Sequence, residues 1–161
     1  MNTMMEISTH DALLHNSNSP ISNRGVTYNV KRIGAKPICF EGTELAMAMS
    51  YTPSVHFWYE INLYHTSEDR FVSAIRVFHQ SEDKRDTVQA WETTSLDDAI
   101  DKLTEYDAAC DVEMPGEDHF GKTTPAESAS IALQMMARMN AARHHYKSLV
   151  GELLFDLESG Q

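Results

Sequence analysis

Three segments near the middle of the chain, "VHFWYEINLYH", "RFVSAIRVFHQ" and "TVQAWETT", alternate apolar and polar residues and are rich in aromatic and β-branched side chains. A period of two over this length argues for half-buried strands, and the short polar links "TSED" and "SEDKRD" argue for antiparallel neighbours. With Ser67-Glu68-Asp69 as the first loop, Thr66 faces Arg70, Ile61 faces Ile75, Tyr59 faces Val77 and Trp58 faces Phe78. Glu60 then sits opposite Arg76, and a one-residue slip would send every one of these side chains to the wrong face. Pairing Arg76 with Glu92 on the third strand extends a Glu60–Arg76–Glu92 ladder and places Trp91 beside Val77.

That register has a consequence. Tyr59, Ile61, Leu63, Ile75, Val77 and Trp91 form a core face, while Trp58, Tyr64, Val72 and Phe78 surround the charges on the other. The second face is too apolar to be left in water and must be covered by a helix, a second subunit or a ligand.

Upstream, residues 1–24 are rich in Asn and Ser without sustained periodicity and read as a loose N-terminal arm. "VTYNVKRI" reads as a strand, with "PICF" and "TELAMAMSY" as two more around a Glu41-Gly42 turn. Downstream, Ser95 with Asp98 opens a short helix whose inward stripe is Leu96, Ala99, Ile100 and Leu103. Thr124, Pro125 and Glu127 form a second capping signature, opening a helix over 125–157. The fold class is therefore α+β: an antiparallel sheet of four to six strands, packed by a short helix and a long C-terminal helix, in one domain over 25–161.

The long helix carries an apolar stripe of Met135, Met139, Ala142, Tyr146, Leu149 and Leu153, widened by Met136, Val150, Leu154 and Leu157. At 1.5 Å per residue the helix is ~50 Å long, more than a domain of this size covers. One side of the stripe is expected to pack on the sheet and the other to form a homodimer interface.

Charge narrows the partners. The formal net charge is −11, and residues 38–120 carry 18 acidic side chains against 5 basic ones. A field of that sign opposes docking on nucleic acid or on an anionic membrane surface. No apolar run approaches the ~20 residues of a membrane-spanning helix, and "MNTMMEISTHDALLHNSNSP" lacks the pattern of a secretion signal. Cys39 and Cys110 have no metal-ligand spacing and suit a reducing compartment, taken as the cytoplasm.

Catalytic chemistry finds little support. Adjacent His144 and His145 point ~100° apart on a helix and cannot converge on one ion. Asp118 and His119 lie in a connector and are the least excluded metal ligands, Cys110 with His119 can be drawn as a thiol–imidazole pair, and "GKTTP" places Gly-Lys-Thr before a helix without the rest of a phosphate loop. Asp97, Asp98 and Asp101 crowd one helix without calcium-loop alternation. These features point to no metal, no cofactor and, on balance, no enzyme. The expected role is a non-enzymatic homodimeric interaction or accessory protein with an unidentified partner. The alternative is a small-molecule-binding domain or enzyme using Trp58, Glu60, Arg76 and Phe78.

Overall fold

The computed structural model describes residues 25–51, 56–116 and 121–160; the N-terminal arm, Asp118 and His119 lie outside the described residues. Five strands follow one another: β1 (Val26–Arg32), β2 (Ala35–Met49), β3 (Phe57–Thr66), β4 (Phe71–His79) and β5 (Thr87–Thr93). They pair antiparallel in sequence order. Helix α1 (Leu96–Thr104), a 3₁₀ turn (Ala108–Asp111) and helix α2 (Pro125–Ser159) complete the chain.

The β3–β4 register is the one read from the side chains, with Trp58 opposite Phe78, Glu60 opposite Arg76 and Ile61 opposite Ile75. Its turn closes through Asp69, whose φ of 59° is a left-handed value that Asp tolerates better than most residues. The third strand pairs differently from expectation. Arg76 lies opposite Val88, Trp91 opposite Ser73 and Glu92 opposite Val72. The β4–β5 pairing starts at Val77 opposite Thr87, and this four-residue shift preserves the faces while breaking the proposed ladder. Glu92 instead pairs with Arg70 at 2.6 Å.

A second correction concerns Glu41-Gly42, which is not a turn. β2 runs unbroken for 15 residues, pairing with β1 up to Gly42 and with β3 from Gly42 onward. At this crossing point a Cβ on residue 42 would strike the backbone carbonyl of His65. Glycine here permits close backbone approach, and a bulge at Leu45 bends the strand further. The turn falls at Ile33-Gly34, where Gly34 has a φ of 69°.

The bent β2 curls the sheet into a half-barrel, so that β1 approaches β5 and Ile33 N–H donates to the Val88 carbonyl at 3.0 Å. The curl answers the question of the second face. Val30 and Ile38 pack with Tyr64, Val72, Ala74 and Ala90 inside it, and Tyr28 and Phe40 join at the edge. The sheet covers that part of its own apolar face.

The outer face carries the main core. Tyr59, Ile61, Ile75 and Val77 pack against Leu103 of α1 and against Ala142, Tyr146, Leu149 and Leu153 of α2. Both helices begin at the expected caps. Ser95 Oγ accepts from Asp98 N–H, and Thr124 with Glu127 forms a complete capping box. Two polar contacts fix the helical layer. Tyr146 donates its hydroxyl to the Leu103 carbonyl at 2.7 Å. Arg143 forms a two-pronged ion pair with Asp107, both distances 2.8 Å, which holds the Asp107 carboxyl down to about 2.

Candidate functional site

The curl closes only part of the inner face. At the closed end Tyr28, Phe40 and Tyr64 form a ring cluster with centroids 4.7–5.4 Å apart. At the open end, strand pairing places Met49 beside Glu60 and Met47 beside Asn62. Trp58 stacks on Phe78 at 5.6 Å with 18° between planes, and Tyr51 meets Trp58 edge-on at 5.2 Å. Met47, Met49 and Tyr51 are each about half exposed. Flexible thioethers and aromatic rings left at a surface are adaptable contact material.

Beside these rings, two residues along the same strands, lie the charges. Arg76 Nε is 3.6 Å from Glu60 Oε1, with the Arg76 side chain 35 % exposed and that of Glu60 17 % exposed. The separation makes an ion pair but is too long for a hydrogen bond, and Arg76 Nε is left without a hydrogen-bond partner. Deeper in, Asn62 Nδ2 donates to Glu44 Oε2 at 3.3 Å, and the buried Asn62 Oδ1 has no partner. Burial, with the charge of Glu44 second, pushes the Tyr64 hydroxyl up to about 12, while Arg76 acts in the opposite direction. The face thus offers one partly exposed cation, its counter-ion and a stacked aromatic wall. Such a set can hold a planar molecule bearing an acid group. The four residues Trp58, Glu60, Arg76 and Phe78 are brought together as their spacing implied.

The helix stripe is used within the chain. Ala142, Tyr146, Leu149 and Leu153 belong to the core against the sheet, Met135 is buried and Met139 half-buried. Leu133, Met136 and Phe155 remain exposed on α2.

The histidines divide. His144 is exposed on the outer face of α2, and His145 is half-buried with Nε2 3.3 Å from the Ser50 carbonyl. Replacing His144 with Ala should change the unfolding free energy from chemical denaturation by less than ~0.5 kcal/mol; a larger change would show a contact that its exposure does not provide. His56 and His79 line one cleft together. β3 begins only at Phe57, so strand alternation does not govern His56.

The remaining motifs have local explanations. At "GKTTP", Glu127 accepts from Thr124 N–H at 2.8 Å and Thr124 Oγ1 accepts from Glu127 N–H at 3.3 Å, so the helix supplies its own anion at its N-terminus. Partial burial of the sulfur raises the Cys110 thiol pKa, the reverse of nucleophile activation. Among the described residues no three His, Cys, Asp or Glu side chains converge as a metal would require, and no helix is long and apolar enough to cross a membrane.

Two features escaped the sequence. One is the Asp107–Arg143 pair. The other is Asp111 Oδ2, which accepts from Tyr59 at 2.6 Å and from Tyr106 at 2.7 Å. Neither has a local pattern to announce it, because Arg143 and Tyr59 each reach their partner from a distant part of the chain. No family model, curated protein or solved structure matches this chain.

Proposed function

We propose that this chain binds a small planar ligand carrying a carboxylate, on the open end of the curled sheet. Arg76 is the charged anchor, Glu60 its orienting counter-ion, and Trp58 and Phe78 the stacking wall. The observation that carries this reading is a partly exposed Arg76–Glu60 ion pair beside the stacked Trp58 and Phe78 rings on the open inner face. The role is binding rather than turnover, since Glu60 is engaged as the counter-ion of Arg76. Nucleic acid is a poor candidate for the partner because the net charge is −11. We place the protein in the cytoplasm, where its free thiols Cys39 and Cys110 stay reduced.

A thermal-shift panel of aromatic carboxylic acids tests the proposal. A ligand at 100 times its dissociation constant adds ~2.7 kcal/mol to stability, a rise of several degrees in melting temperature. The rise should vanish in Arg76→Met and weaken in Arg76→Lys, which keeps the charge and loses the planar fork. An undiminished rise in Arg76→Met would overturn the assignment.

A second reading, a homodimeric accessory protein, is favoured by Leu133 and Met136, which lie exposed on the N-terminal half of α2. In that reading these residues, rather than the stripe packed on the sheet, supply the seam.

A further inference from the structure

On the helical side of the sheet, a cleft of about 930 Å³ opens between the end of the β3–β4 hairpin, the segment leading to β5, the exit of the 3₁₀ turn and α2. Phe57, Val112 and Ala142 give it an apolar wall. Its basic and titratable groups come from four segments: His56 ahead of β3, His79 at the end of β4, Lys84 before β5, and Arg138 with His145 on α2. The carboxylates in the same cleft are largely engaged. Asp111 accepts from two phenols, and Glu113 pairs with Lys84 at 2.6 Å. Asp83 stands exposed at the rim. Arg138 has no ion-pair partner among the described residues.

The cleft does not end at Arg138. A second one of about 490 Å³ shares Arg138 and Glu113 with the first and continues past Met135 and Ile131. A guanidinium with no ion-pair partner among the described residues thus stands at the junction of two partly apolar hollows, in a chain whose net charge is −11. Concave, partly apolar sites with a few placed polar groups are where small molecules bind, and an arginine without a counter-ion selects an acid group. We infer that this cleft is a second binding site, for an amphipathic anion whose acid group meets Arg138 and whose apolar body lies along Phe57 and Val112. It is separate from the Arg76 face and does not rest on that reading.

The probe is 8-anilinonaphthalene-1-sulfonate, an aromatic anion whose emission rises in apolar surroundings, titrated into the full-length chain at about 150 mM salt, where bulk charge effects are screened. Saturable one-site binding is expected, weakened at least tenfold by Arg138→Ala and less than twofold by Lys147→Ala or Arg76→Met. Lys147 is an exposed cation on the same helix that lines neither hollow, and Arg76 belongs to the sheet face described above. These variants therefore control for charge loss and for the other site. Unsaturable emission, equal loss in Lys147→Ala and Arg138→Ala, or a loss confined to Arg76→Met would overturn the inference.

Discussion

Leu149→Asp should unfold the chain rather than divide an assembly. Leu149 is 2 % exposed and packs in the core with Tyr59, Ile61 and Tyr146. A carboxylate at that position loses the leucine's burial and enters a cluster of apolar and tyrosine side chains. The expected cost is about 5 kcal/mol or more, comparable to the whole stability of many domains. Far-UV circular dichroism should show loss of the native signal at every protein concentration. Lys147→Asp, on the exposed side of α2, should retain it. A well-folded Leu149→Asp monomer of 18.2 kDa would show instead that this part of the stripe is a seam between subunits.

Asp111→Ala should be the next most damaging change. One carboxylate oxygen accepts from both Tyr59 and Tyr106, and Tyr59 is fully buried. Burial first and the bond to Asp111 second push both phenols far above their ordinary pKa, so they remain donors throughout the accessible pH range. Removing the acceptor strands two hydroxyls at about 1–3 kcal/mol each. Asp111→Asn keeps an acceptor oxygen and should cost roughly half as much. Urea denaturation gives the comparison, and a loss below ~1 kcal/mol for Asp111→Ala would mean that water replaces the carboxylate through the adjoining cleft.

These two positions mark where the sequence is legible and where it is not. The stripe holding Leu149 and the register of β3 with β4 follow from period and from pair chemistry, because each side chain's face is set by its own neighbours. The same holds for the Ser95 and Thr124 caps, which act within one turn. The pairing of β5 departs from the expected charge ladder because the ladder competes with where the β4–β5 pairing begins, and backbone pairing prevails. Gly42 misleads for a different reason. Turns favour glycine, but so does a crossing point where two backbones come too close for a side chain. The curl that follows from it decides which half of the inner face is closed by Tyr28, Phe40 and Tyr64 and which half stays open around Trp58. The four candidate site residues can therefore be read from the strands, whereas their partial exposure cannot. Asp111 with its two tyrosines depends on a 3₁₀ turn meeting the far side of the sheet, and no spacing in the chain encodes that meeting.

The two tryptophans offer the most direct test of the ligand-binding face, because they lie on opposite sides of the sheet. Trp58 stacks on Phe78 at the open inner face, and Trp91 packs toward the helical core. In a ¹H–¹⁵N correlation spectrum their indole N–H groups give separate signals. Titration with an aromatic carboxylate that raises the melting temperature should move the Trp58 signal progressively to saturation and leave that of Trp91 in place. Movement of Trp91 alone, or of neither while the melting temperature still rises, would contradict binding at Arg76 and place the ligand elsewhere on the molecule.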